Sequence, residues 1–232
     1  MVTDAHCHVR GEASRHFVCA ATMADWPALA AAPAGDVRFY GVHPWAALAP
    51  DAPAPAEVAS ALRARLEADP TAGVGEIGLD RLRQREIAPR MRELLLSQLS
   101  VAAEFGRPTV LHGAECWGET VKAVRPFAGR IPAFLFHGFS RSDGLIAEMT
   151  AMGGYVSVGA AVLNDHAVNY RELVKKLPLD RLLVESDRTA ENAAEVPSVV
   201  AIAAKVAELR GMELAELEER LEANAERFLG RG

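Results

Sequence analysis

The segment Met1-Val2-Thr3-Asp4-Ala5-His6-Cys7-His8 decides between the two architectures open to this chain. Residues 1–5 read as a short strand. In a doubly wound sheet the first strand is normally followed by a glycine-rich phosphate loop, and here His-Cys-His stands in its place. Side chains of an extended segment alternate between faces. His6 and His8 therefore share a face and can bite one ion together, with Cys7 pointing away, which makes the thiol the poorer ligand.

Outward from this segment, short apolar runs alternate with helical patterns. Strands are expected at 1–5, 17–21, 37–42, 73–77, 109–112, 133–137, 155–158 and 182–185. Most are apolar on both faces, as buried parallel strands are. The clearest helix spans 86–105, where Met91, Leu94, Leu95, Gln98, Leu99 and Ala102 recur at helical spacing before Gly106 and Pro108 stop it. Pro55 opens another that runs through Val58, Leu62 and Leu66 to Pro70. Further helices are expected at 119–124, 142–152, 167–176 and 197–210, with a last one at 213–229 packed outside the barrel. Residues 46–56 form an Ala/Pro-rich loop rather than a linker, since the alternation resumes on both sides. Eight strands with intervening helices specify an α/β fold: a TIM-like (β/α)8 barrel, with allowance for distortion, and an extra C-terminal helix.

Composition agrees with one core. Half of the 232 residues are hydrophobic, and α/β barrels commonly run to about 200–250 residues as one domain, so residues 1–232 read as a single domain. The net charge of -6 weighs against broad, salt-driven binding to duplex nucleic acid. It does not exclude a phosphodiester in the active site, because bound cations invert the local field. Three scattered cysteines make no disulfide framework. No basic stretch leads into an apolar one as in a signal peptide, and no apolar run approaches the roughly 20 residues of a membrane span. The expectation is a reduced, cytoplasmic protein without a membrane partner.

The ends of the expected strands carry the reactive side chains. His6 and His8 follow the first, His43 the third, Glu76 lies in the fourth, His112 ends the fifth, His137 ends the sixth, and Asp187 follows the eighth. In a parallel barrel these ends converge on one face, where catalytic groups gather, and five of the seven histidines fall there. A single histidine after a strand is more often a loop or core residue. Glu76 and Asp187 weigh more, because a carboxylate in an apolar run must be paired or bind a cation. The mixed imidazole and carboxylate set suits zinc, manganese, iron or magnesium better than soft thiolate chemistry.

In their order along the chain, Asp4-Ala-His-Cys-His8, Gly41-Val-His-Pro44, Gly75-Glu-Ile-Gly-Leu-Asp80, Val110-Leu-His112, His137-Gly-Phe-Ser140 and Leu182-Leu-Val-Glu-Ser-Asp187 resemble the TatD family of metal-dependent hydrolases, within the amidohydrolase-like barrels. Asn224-Ala-Glu-Arg-Phe-Leu229 resembles the family's closing helix. The resemblance implies a hydrolase with two divalent metal ions, and family members are commonly described as deoxyribonucleases. Position by position it implies that His6, His8, Glu76 and Asp187 hold one metal and Glu76, His112 and His137 the second, with Glu76 bridging. A bridging hydroxide would attack, with Asp187 orienting the water and accepting its proton or acting as a ligand alone.

The remaining candidates each have two readings. His43 belongs to the substrate side, contacting a phosphate oxygen or a leaving group, or it packs in a proline turn. Trp45 stacks on a base or is an ordinary loop aromatic. Ser140 orients His137 or belongs to a turn. Glu115 and Cys116 lie just past a metal strand, so a pocket role competes with a structural one. Arg81, Arg83 and Arg85 form a phosphate-attracting rim or a solvated loop. His16 and His166 fit no ligand slot.

The chain departs from the family pattern in Gly113-Ala-Glu-Cys-Trp117 after His112, in Arg188-Thr189-Ala190 after Asp187, and in Arg81 where an aromatic is usual. Arg188 replaces a lost phosphate contact or is a solvated charge. These departures touch substrate-facing loops and spare the metal ligands. Cleavage of DNA or a small phosphoester is the leading expectation. Hydrolysis of an amide or lactone in the same barrel is the second, and a non-catalytic metal-bound scaffold the third.

Overall fold

The computed structural model describes residues 2–140 and 143–231. Eight parallel strands follow one another round the sheet in chain order: β1 (Thr3–Cys7), β2 (Arg15–Cys19), β3 (Val37–Tyr40), β4 (Gly73–Asp80), β5 (Thr109–Ala114), β6 (Phe134–Phe136), β7 (Gly154–Val158) and β8 (Leu182–Val184). Helices α1 (Trp26–Ala30), α2 (Pro55–Ala68), α3 (Pro89–Phe105), α4 (Trp117–Val124), α5 (Ile146–Ala151), α6 (Val168–Lys176), α7 (Val199–Arg210) and α8 (Leu214–Phe228) complete the alternation. This is the (β/α)8 barrel that the sequence pattern specifies. No described helix is long and apolar enough to cross a membrane.

Closure between β8 and β1 is made just beyond the strands. The Asp187 N–H donates to the His6 carbonyl at 3.0 Å and the His8 N–H to the Arg188 carbonyl at 2.8 Å. The Asp4 carboxylate reinforces the seam, accepting from the Ser186 N–H at 2.9 Å and its hydroxyl at 2.6 Å.

Ala5, Phe17, Val37, Val110, Leu135, Tyr155 and Leu183, from seven of the eight strands, pack into one inner cluster. β4 contributes no bulk there. A Cβ on Gly73 would lie 2.2 Å from the Phe39 ring, so glycine makes room for the aromatic.

The last helix does not simply pack outside, and that expectation is corrected. α8 crosses the N-terminal ends of the strands, where Asn224 Nδ2 donates to the Leu179 and Leu182 carbonyls at 2.8 and 2.7 Å. Its Phe228 enters the inner cluster, stacked on Phe17 and Phe39 at centroid distances of 5.7 and 6.0 Å. One barrel end is thereby plugged, and reactive groups are left to the other.

Boundaries shift where local chemistry overrides periodicity. α3 starts at Pro89 rather than at residue 86, because proline lacks an N–H and suits a first helical turn. The segment expected at 142–152 is a 3-10 turn, Asp143–Leu145, leading into α5. Met1 and Ser142, which begin two of the expected elements, lie outside the described residues.

Candidate metal centre

Six strands deliver side chains to the open end. His6 lies in β1, Glu76 in β4 and His112 in β5, while His8, His43, His137 and Asp187 stand just past β1, β3, β6 and β8. At the centre is the buried carboxylate of Glu76. Its Oε2 faces His8 Nε2 at 3.1 Å and His6 Nε2 at 3.5 Å. Its Oε1 faces His137 Nε2 at 2.6 Å, His112 Nδ1 at 2.7 Å and His43 Nε2 at 3.6 Å. Asp187 Oδ1 lies 3.4 Å from His6 Nε2. The structure thus brings together all seven residues singled out from the sequence.

The outer nitrogens of the imidazoles decide what the inner ones can do. His8 Nδ1 is 2.9 Å from the Cys19 carbonyl. A carbonyl only accepts, so the proton sits on Nδ1 and the Nε2 lone pair is turned inward. His112 Nε2 meets Asp80 Oδ2 at 2.7 Å, and His137 Nδ1 faces Glu185 Oε1 at 3.5 Å. Such outer oxygens fix tautomer and ring orientation in metal-ligating histidines. Both ring nitrogens of His6 are buried and make no hydrogen bond among the described residues, and a polar group orphaned in this way beside two carboxylates fits a cation site.

Three sets of ligand atoms lie close enough to hold an ion: His6, His8 and Asp187; His6, Glu76 and His137; and His43, Glu76 and His112. They overlap at His6 and Glu76. The second and third differ from the ligand sets implied by the resemblance, because His6 is grouped with His137 and His43 with His112. However, His43 Nδ1 accepts the Trp45 N–H at 3.3 Å, which leaves the proton of a neutral ring on Nε2 and makes that nitrogen a donor.

Electrostatics agree with the burial. Desolvation alone would push the Glu76 carboxyl up, but the imidazoles of His137, His43 and His6 and the contact with His112 hold it well below the usual range. Burial pulls His137 down, and the carboxylates of Glu76 and Glu185 raise it well above an ordinary histidine. For His43 burial wins, taking it to about 4. Asp187, pushed up by burial, is brought below the usual carboxylate range by His6. Its backbone is left-handed, with φ 51°, a conformation that Asp tolerates better than most residues.

The family model described as TatD related DNase matches residues 3–230. The chain belongs to this family. Among its relatives, the 3'-5' ssDNA/RNA exonuclease TatD of Klebsiella pneumoniae is 28% identical over 169 residues, covering 68% of this chain and 64% of the relative. The uncharacterized metal-dependent hydrolase YabD of Bacillus subtilis is 27% identical over 162 residues, covering 67% and 64%. The match thus spans slightly under two thirds of the length of these relatives. In solved structures, the TatD homologue YJJV of Escherichia coli superposes with a TM-score of 0.82 at 22% identity, covering 98% of this chain and 97% of that one. A TatD-family hydrolase of Entamoeba histolytica superposes with a TM-score of 0.76 at 12% identity, covering 100% and 98%. Both share the barrel.

Around this TatD-type cluster the structure also places residues that had no assigned role. Asp80 and Glu185 back His112 and His137, and Asp4 with Ser186 ties the β1–β8 seam. The signal was present: Glu185 lies in the same kind of apolar run that singled out Glu76. Trp45 lines the cavity, but the Arg83 guanidinium lies 3.6 Å over its ring, so one face is already covered. Arg81 Nε donates to the Arg85 carbonyl at 3.1 Å. Arg188 closes the barrel through its carbonyl, and its side chain lies beside Gly11.

Ser140 lines a smaller cavity of about 390 Å³ together with Glu185 and Asp187. Glu115 and Cys116 do not line the main cavity, and burial pushes the Cys116 thiol up to about 11. His16 is buried on Asp36, and His166 is exposed.

Proposed function

We propose that this TatD-family chain, acting as one barrel domain over residues 1–232, is a hydrolase that cleaves phosphodiester bonds with two divalent cations sharing Glu76. One observation carries the reading. The buried Glu76 carboxylate turns Oε2 to His6 and His8 and Oε1 to His112 and His137, while the outer nitrogens of three of these imidazoles face oxygens. The residues that would hold the cations are His6, His8, Glu76 and Asp187 on one side and Glu76, His112 and His137 on the other. Four imidazoles favour zinc, manganese or iron over magnesium.

Bound there, two divalent cations supply Lewis acidity, lowering the pKa of water and drawing charge from phosphoryl oxygens. The chain's own groups do the rest. Asp187, ionised and half-exposed on the cavity wall, orients the attacking water and takes its proton. His43, neutral at pH 7 with its pKa at about 4, is a poor source of a full proton. Its Nε2–H instead donates a hydrogen bond to a phosphate oxygen. The preference for a phosphodiester rests on the relative named as an ssDNA/RNA exonuclease.

The test pairs elemental analysis with hydrolysis of single-stranded oligonucleotides. The expected result is about two metals per chain and metal-dependent nucleotide release, both lost in Glu76→Ala. Fewer than one metal per chain, or intact oligonucleotides alongside cleaved amide or lactone substrates, would overturn the reading.

A further inference from the structure

The metal-ligand cluster opens into a cavity of about 740 Å³ whose lining also includes Ala20, Ala21, Ala24, Ala28 and Arg10. Arg10 is the sole lysine or arginine among the described lining residues. It stands two positions past His8 on the loop leaving β1, so its backbone is tied to the site.

Its side chain is anchored. Arg10 Nε lies 2.6 Å from Oδ2 of Asp36, whose carboxylate is buried. The other oxygen of Asp36 accepts from the backbone N–H and Nδ1 of His16, both at 3.0 Å. His16 Nε2 in turn accepts the Gly11 N–H at 3.1 Å. Both His16 donors go to Oδ1, so Arg10 is the cation that faces the buried Oδ2. That ion pair holds a long, half-exposed side chain by its Nε, and neither terminal amino group makes a hydrogen bond among the described residues. A guanidinium fixed in this way presents a planar fork that matches phosphate.

We infer that Arg10 receives a second phosphate of the substrate, the one flanking the scissile phosphodiester, while the alanine wall takes the apolar face of the intervening nucleoside. This rests on the phosphodiester reading above. Charge also limits the subsite. Asp25 and Glu191 line the same cavity. The Asp25 carboxylate is committed to the Ala21 and Thr22 N–H groups of its own turn, and no other arginine or lysine in the lining offsets it. One flanking phosphate is accommodated there, not a long polyanionic track.

Calorimetric titration of the purified metalloprotein with thymidine 3',5'-bisphosphate and thymidine 5'-monophosphate tests this. The bisphosphate is expected to bind roughly tenfold more tightly, the scale of a charge-assisted bidentate contact. Arg10→Ala removes that gap. Arg10→Lys keeps part of it, because an ammonium supplies charge without the fork. In a parallel kinetic arm, 5'-phosphorylated and unphosphorylated thymidine dinucleotides are compared, and Arg10→Ala abolishes a KM advantage of the phosphorylated one. Equal affinity for both nucleotides in the wild type, or a gap that survives Arg10→Ala, overturns the inference. A protein that cleaves neither dinucleotide sinks the phosphodiester reading instead, and the nucleotide titration then still decides on Arg10.

Discussion

The Asp80 carboxylate holds the outer nitrogen of His112: Oδ2 lies 2.7 Å from Nε2, while Nδ1 of the same ring faces Glu76 at 2.7 Å. The imidazole is therefore clamped between two carboxylates, and its orientation depends on both.

Asp80→Asn is expected to weaken metal binding about 10- to 100-fold, as loss of such an outer partner does. Chelator competition measures this. The variant also has a signature in acid. Burial would raise the Asp80 carboxyl, but the contact with His112 and the Leu82 N–H bring it down to about 2 from 3.8. A depressed folded-state pKa stabilises the fold above the unfolded value and loses that effect as pH falls through the folded value. The stability gap between wild type and Asp80→Asn, read by urea unfolding without metal, should be steady above pH 5 and close between about pH 4 and 2. A gap that widens on acidification would refute this role.

Glu185 is buried behind His137, and its other oxygen accepts the Ser157 hydroxyl. Glu185→Gln preserves the shape and removes the charge. We expect metal affinity to fall by roughly tenfold, with the loss in activity falling on kcat rather than KM at saturating metal. Unchanged metal affinity would reduce Glu185 to a packing residue.

Phe228 is the plug of the closed barrel end. Phe228→Ala should destabilise the fold by about 3–5 kcal/mol, the usual cost of emptying a buried aromatic site, and Phe228→Leu should recover much of it. Denaturant unfolding gives both values. The candidate metal ligands lie at the opposite end, so the folded fraction of Phe228→Ala should retain metal binding. A loss below 1 kcal/mol would show that the inner cluster does not depend on this ring.

The strands were legible because burial on both faces leaves an apolar signature, and the convergence of the candidate ligands because strand ends in a parallel barrel share a rim. The expected span of β4 ends at Ile77, yet Gly78, Leu79 and Asp80 continue the ladder against His112, Gly113 and Ala114. A Cβ on Gly78 would lie 2.0 Å from the His112 carbonyl, so glycine is what permits the close pairing. α1, at five residues, is too short to show a helical period. The outer roles of Asp80 and Glu185 arise from tertiary pairing across distant segments, which a local pattern cannot specify. The pattern of α8 shows that it has a buried face, but not which barrel end that face covers.

The hydrogen bond from Asp187 to the His6 carbonyl gives synthesis of this protein a timing. The seam that joins the first strand to the last also sets Asp187 beside His6, so a ribosome must deliver nearly the whole barrel before the seven side chains can converge.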